Sequence, residues 1–326
     1  MSTVGHADRP SRDAIVATAR TTIAAGSKSF AAASRLFDRP TRERAWLLYA
    51  WARACDDLAD GQELGHGMTA VADAPQRLAQ ITARTDAALA GEWVGDPAFD
   101  ALGIVAAEAR LPHDLVRDVI AGFALDAEEW RPRSEDDLYR YCYHVAGAIG
   151  CLMAVVMGVD PADQDTLDRA CDLGIAFQLS NIARDLCEDA AADRCYLPIE
   201  WLVEIDVPPG EHMKPHYRPR VAMLARRLVD QSQRYEASAR EGTPALPFRA
   251  AWAVLAAADI YGGIGRAVAA RGEHAWDHRV TTSKAQKLGA IGRAFAAARG
   301  RAGRYPRTPR DPELWTRPRT VQKPGA

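Results

Sequence analysis

The sequence shows almost none of the alternating apolar–polar pattern that strands leave, which excludes a fold built on sheets. None of its six cysteines, Cys55, Cys142, Cys151, Cys171, Cys187 and Cys195, forms a C-x-x-C pair, and no zinc-type spacing appears. Most of the six fall inside apolar helical patterns, so they read as reduced, buried thiols of a cytosolic protein. There is no Walker loop. The stretch Tyr261–Val268, YGGIGRAV, lacks the G-x-G-x-x-G spacing and follows no strand, so a dinucleotide fingerprint fails. The N-terminal MSTVGHADRPSRDA lacks the basic-then-apolar order of a signal peptide. There is no basic excess either: 41 Lys and Arg face 43 Asp and Glu, for a net charge of −2, which argues against a polyanion-binding protein.

What is present is ordinary for a soluble globular chain: 326 residues, 48% of them hydrophobic and 26% charged, enough for a large core in one domain or two. Ala, Leu, Arg and Glu dominate, and the periodicity predicts helices over about 11–25, 41–60, 70–90, 98–110, 113–129, 135–158, 163–190, 218–240, 247–271 and 283–299. Pro40 suits a first helical turn, Gly61 the position after a helix end, and Ser134 with Asp137 a capping pair. The longest apolar run, Tyr141–Val159, approaches membrane-spanning length but holds His144 and two tyrosines, and reads as a buried core helix. Residues 1–10 read as disordered, and the proline-rich Ile205–Pro219 as a loop. From Arg299 onward a basic, proline-rich tail reads as solvated, of a charge that suits an anionic membrane surface.

Two acidic patterns carry most of the information. In RACDDLADG, the residues Tyr49, Arg53, Asp56 and Asp60 follow a 4-3-4 spacing and form one polar stripe. Trp46, Leu47, Ala50, Trp51, Ala54 and Leu58 make the rest of that helix apolar, as in a buried one. Asp56, Asp57 and Asp60 fall in its last turn, where negative charge opposes the helix dipole. A local rule broken this plainly marks a functional site. In QLSNIARDLCED, Gln178, Asn181, Asp185 and Asp189 follow a 3-4-4 spacing beside the apolar stripe Ile175, Leu179, Ile182 and Leu186. Asn181 adds a neutral oxygen ligand, and Arg184 and Arg194 add positive charge able to hold a diphosphate. Two such faces point to magnesium ions binding a substrate's phosphates. Glu135, Asp136 and Asp137 are equally acidic but stand at a helix start, where capping accounts for them. The scattered histidines read as structural or surface residues.

At these residues the chain resembles the squalene/phytoene synthase family, its bacterial members most closely. The matching pieces are GSKSF at 26–30, YAWARACDDLADGQ at 49–62, YCYHVAGAIG at 141–150, FQLSNIARDLCEDAAADRCYLP at 177–198, LPFRAAW at 246–252, the Tyr261 helix and AWDHRVTTSKAQKL at 275–288. The segment AAADR departs from relatives that carry a glycine before the arginine.

The resemblance implies an all-α isoprenoid synthase fold over residues 11–299, a single helical bundle around a central cavity, followed by the tail at 300–326. It implies that Asp56, Asp60, Asn181, Asp185 and Asp189 bind magnesium, for which manganese is the alternative. It further implies that Ser27, Arg53, Gln178, Arg184 and Tyr261 contact the diphosphates or order the metal shell, that Tyr141 is a catalytic tyrosine near the departing diphosphate, and that Arg279, Lys284 and Lys287 close over the phosphates.

The implied reaction is head-to-head condensation of two geranylgeranyl diphosphates to phytoene through prephytoene diphosphate, the entry to carotenoids. Metal would neutralise the leaving diphosphate, and an apolar cavity would shield the allylic cation from water. Val145, Ile149, Leu152 and Met153 are candidate walls. Ala146, Gly147, Ala148 and Gly150 serve either a chain lying close to the backbone or tight helix packing. No NADPH is expected; some members require ATP, for which the sequence displays no site. A cytoplasmic protein touching the inner membrane peripherally, with other carotenoid-pathway enzymes as partners and no nucleic acid, fits the greasy substrates. Three alternatives stay open: a dehydrosqualene or squalene synthase using farnesyl diphosphate, a chain-elongating prenyltransferase or terpene cyclase, and a non-catalytic helical partner that binds prenyl lipids.

Overall fold

The computed structural model describes residues 9–60, 73–127 and 130–319, without the side chains of Lys28, Ser29, Asp60 and Ala127. In chain order the helices are α1 (Arg12–Gly26), α2 (Lys28–Ser34), α3 (Arg39–Asp60), α4 (Ala74–Leu89), α5 (Pro97–Ala109), α6 (His113–Ala127) and α7 (Glu135–Cys142). A π-turn, Tyr143–Gly147, joins α7 to α8 (Ala148–Val156). Then come α9 (Gln164–Ala191), α10 (Ile199–Glu204), α11 (Arg218–Gly242), α12 (Phe248–Arg271), α13 (Lys284–Arg299) and α14 (Arg301–Arg304). The described residues contain no strand, so the fold is all-α.

Each long helix follows the expected periodicity, and several start where a side chain can cap free amides. Ser134 and Asp137 form a reciprocal capping box, as do Ser283 and Gln286. Asp96 caps α5 just ahead of Pro97. Three helices fall outside the sequence expectation: α2, α10 and α14. Each has seven residues or fewer, too few for a 3.6-residue pattern to repeat. The loop expected over 205–219 ends at Tyr217, where α11 takes over; it holds a short 3-10 turn, Pro215–Tyr217, and buries His212. Gly61, residues 1–8, 70–72 and 128–129, and residues 320–326 of the tail lie outside the described residues.

Helix α9 runs through the middle of the bundle, packed against α7, α8, α11 and α12. Its stripe of Ile175, Leu179, Ile182 and Leu186 is buried, as its spacing requires. The α8 segment meets α9 backbone to backbone. A Cβ on Gly174 would stand 2.4 Å from the Ala146 carbonyl oxygen, and one on Gly150 2.4 Å from the Ala170 carbonyl oxygen. The Tyr141–Val159 run therefore splits into α7, π-turn and α8 inside the core. By length and composition, one helix among the described residues could cross a membrane, Phe248–Trp276; here it packs against α9, α11 and α13.

The tail corrects the expectation of a solvated segment. Beyond α14 the chain returns along α9 and α11, burying Leu314. Arg307 pairs with Asp163 and Asp165 at 2.9 and 2.7 Å, Arg310 grips Asp172 through two hydrogen bonds of 2.6 and 2.9 Å, and Arg317 and Arg319 both pair with Asp168. Asp172 is fully buried, and burial raises its pKa even beside Arg310. Composition alone reads as solvation because the partners of these arginines lie about 140 residues earlier, a separation no local pattern reveals.

Two predictions follow from this packing. Gly174→Ala should destabilise by about 1–3 kcal/mol or more, despite alanine's better helix propensity, because the added methyl meets backbone that cannot retreat. An unchanged urea midpoint would contradict the packing. Arg310→Ala should cost about 3–5 kcal/mol near neutral pH by leaving Asp172 buried without its cation. That loss should shrink as pH falls, since a carboxyl whose folded-state pKa is raised becomes neutral and no longer needs a counter-charge. Urea titrations at pH 7 and pH 5 would compare the two.

Candidate active site

A cavity of about 630 Å³ opens between α3, α6, α8, α9 and α12. Followed along α9, its lining passes from Arg169 through Ala170, Leu173, Gly174 and Phe177 to Gln178 and Asn181. At the helical rise this spans about 18 Å, mostly apolar and ending in amides. Asp56 and Arg53 of α3 and Tyr261 of α12 line the same cavity, as do Tyr141, Tyr196, Arg194 and Asp126. The apolar wall comes from Val145, Ile149, Met153 and Met157 on the α8 segment, with Phe30, Phe37 and Phe123.

The structure thus brings together Arg53, Asp56, Tyr141, Gln178, Asn181 and Tyr261, from four separate stretches of sequence. Asp185 and Asp189 continue the same face of α9 one and two turns beyond Asn181, outside the cavity lining. Arg184 makes two hydrogen bonds to Asp185, and Arg279 adds a third at 2.9 Å, which ties Arg279 to the acidic face. Arg53 pairs with Asp56 at 2.5 Å and approaches Asp57 at 4.0 Å. Burial, and then the charge of Asp185, push the Asp189 carboxyl up to about 7. A half-buried carboxyl this reluctant to ionise beside a second one is a place where added positive charge is stabilising.

The remaining expected residues stand differently. Ser27 caps α2, its hydroxyl accepting the Phe30 N–H, and it does not line the cavity. Lys284 is exposed in the first turn of α13, also away from the lining. The side chain of Asp60 lies outside the described residues. Among the described residues, no three His, Cys, Asp or Glu side chains gather as a metal cluster; Asp56 stands on α3, while Asn181, Asp185 and Asp189 stand on α9. Their donor atoms are all oxygens, the set a hard divalent cation takes, so the residues fit such an ion.

One reading of the 141–159 run is corrected and one open choice is resolved. Leu152 and Ala148 are fully buried but absent from the cavity lining, so they belong to the core. Gly147 and Gly150 serve tight helix packing: a Cβ on Gly147 would stand 2.8 Å from the Cys171 sulfur, and Gly150 both faces the Ala170 carbonyl and borders the cavity. The departure at AAADR also finds its cause. Asp193 has φ +56°, in the left-handed region that glycine enters most easily and aspartate tolerates.

Sequence reasoning missed Asp126. Its carboxylate accepts the Tyr141 and Tyr196 hydroxyls at 3.1 and 3.2 Å. Trp130, Tyr141 and Tyr196 form a continuous stack, with centroids 5.6 and 4.7 Å apart. Burial first, and Asp126 second, raise the pKa of both phenols, which stay protonated. A usable signal was present: Asp126 sits in the last turn of α6, where a carboxylate opposes the dipole just as Asp56 does in α3. Tyr261 stacks on Phe177 at 4.3 Å, and burial raises its pKa too.

Comparison with known proteins agrees with this architecture. The family model for squalene/phytoene synthase matches residues 23–286. A 15-cis-phytoene synthase of Enterobacter agglomerans is 45% identical over 300 residues, 90% of this chain and 99% of that protein. A phytoene synthase of Pseudescherichia vulneris is 45% identical over 303 residues, 91% of this chain and 96% of the relative. Among solved structures, a ligand-bound dehydrosqualene synthase superposes with a TM-score of 0.79 at 24% identity, covering 89% of this chain and 98% of its own, and it has the same isoprenoid synthase fold. On the sequence match and the shared architecture together, the chain belongs to the squalene/phytoene synthase family.

Proposed function

We propose that the protein is a prenyltransferase that condenses two geranylgeranyl diphosphates head to head into phytoene through prephytoene diphosphate, at the start of carotenoid synthesis. The observation that carries this reading is the 45% identity, over nearly the full length of both chains, to a protein named 15-cis-phytoene synthase. The cavity suits it: an apolar trough for prenyl chains, with amides, arginines and carboxylates at one end for diphosphates.

The family is of a divalent-metal-dependent type. We propose magnesium, with manganese as substitute, held by Asp56, Asn181, Asp185 and Asp189 together with Asp60. The ion when bound neutralises charge on the departing diphosphate. Arg53, Arg184 and Arg279 already sit on the acidic residues, so a diphosphate arriving there finds guanidiniums within reach. Gln178 and Tyr261 line the same end. The walls of Val145, Ile149 and Met153 exclude water from the allylic cation. No NADPH enters the proposal. We also propose a cytoplasmic protein in peripheral contact with the inner membrane, where substrate and product partition.

Purified protein with magnesium should give a C40 hydrocarbon with a central conjugated triene from geranylgeranyl diphosphate alone, with no change on adding NADPH; an ATP arm belongs in the same assay. A C30 hydrocarbon from farnesyl diphosphate as the sole product would move the enzyme to the squalene branch, and no product at all would favour the lipid-binding alternative. Asp56→Ala and Asp185→Ala should each lower turnover at least a hundredfold, on the order of the loss when transition-state charge stabilisation is removed. Far-ultraviolet circular dichroism should remain unchanged. Wild-type activity in either variant would remove these residues from the site.

A further inference from the structure

The condensation read above ends with a carbocation that must lose a proton. One cavity-lining group that no role has yet claimed is the carboxylate of Asp126. It lines the cavity together with the two phenols it holds, Tyr141 and Tyr196. Oδ1 of Asp126 accepts both hydroxyls, at 3.1 and 3.2 Å, and the Tyr141 hydroxyl also lies 3.4 Å from Oδ2. A phenol has one proton, and here each is directed at Asp126. The two phenols also interact with each other, so both hydroxyls are engaged within this cluster and neither is set to donate to a diphosphate.

We infer that Asp126 is the final proton sink of the reaction, reached through the Tyr141 phenol. In this step a C–H bond beside the cationic carbon breaks, and its electron pair becomes the central double bond. Tyr141 Oη takes the proton while its own proton passes to Asp126 Oδ1. Cation and carboxylate both end neutral, so the step needs no further reactant, and the carboxyl is reset when product leaves and water enters. The terminal step is the one assigned because rearrangement precedes it. A rearranging cation is held by aromatic faces, and Tyr141 and Tyr196 stand in a stack that also includes Trp130. Asp126 acts through Tyr141 and is in that sense a positioning residue. Its place in the last turn of α6, unfavourable to the helix, fits a group kept for chemistry.

This inference rests on the phytoene-forming reading, and its test separates the two. The wild-type protein, Asp126→Asn, Asp126→Glu and Tyr141→Phe would each receive magnesium and geranylgeranyl diphosphate in single turnovers. The quantity read is the ratio of prephytoene diphosphate to phytoene. Asp126→Asn should raise that ratio about a hundredfold, the low end of what a positioned proton acceptor contributes. Tyr141→Phe, which keeps the aromatic stack and supplies a second route should Asp126→Asn fail to fold, should raise it similarly. Asp126→Glu, which keeps a carboxylate, should return most of the way to wild type. A ratio unchanged in either folded variant, with both stages slowed together or neither, overturns the inference. Wild-type protein that makes no phytoene removes the step itself, and failure of the parent reading is then visible without any variant.

Discussion

The structure depends on how one buried helix is relieved of its negative charge. Helix α9 and its cap carry Asp163, Asp165, Asp168, Asp172, Asp185, Glu188 and Asp189 through the centre of the bundle. Asp168 and Asp172 are buried and Asp185 nearly so, and carboxylates in such a place are tolerated only beside positive charge. The first half of the helix is answered from within the chain, by Arg307, Arg310, Arg317 and Arg319 of the returning tail. The second half is answered only in part, by Arg184 and Arg279 on Asp185. Asp189 remains so poorly compensated that its carboxyl is pushed up to about 7. One helix thus has a structural end, neutralised by its own chain, and an end that still gains from added cations. In the proposed reaction those cations arrive with the substrate.

Geometry along the same helix separates the apolar trough from the polar end. Gly150 and Gly174 let α8 approach α9 backbone to backbone, and this contact sets where the wall of Val145, Ile149 and Met153 stands relative to Gln178 and Asn181. Because α8 lies this close, Leu152 and Ala148 become core while their neighbours become cavity wall. The proton-handling cluster of Asp126, Tyr141 and Tyr196 belongs to this wall as well, so a cation formed near the diphosphates would meet aromatic surface before it met water.

The long helices and the two acidic faces were legible in the sequence because both are local. Helical periodicity repeats every few residues, and a carboxylate in a last turn contradicts its own helix, as at Asp56. The short helices α2, α10 and α14 were not, since a turn or two carries no period. Asp126 shared the signal of Asp56 but stood alone, without the repeated spacing that made the other two faces visible. Ser27 and Lys284 matched the family's motifs; in the structure Ser27 caps α2 and Lys284 is exposed at the start of α13.

By itself the sequence determined an all-α bundle, the two faces that hold its acidic residues and the family to which it belongs. These rest on periodicity and on matched stretches, which need no knowledge of what lies across the core. Tertiary structure alone decided the rest. It turned a basic, proline-rich tail into a clamp on Asp168 and Asp172, and it sorted the small residues of the α8 segment between packing and cavity. It also drew the hydroxyls of Tyr141 and Tyr196 onto one carboxylate, 15 and 70 residues away. Each of these depends on which charge or surface arrives from a distant part of the chain, and a local pattern contains no record of that partner.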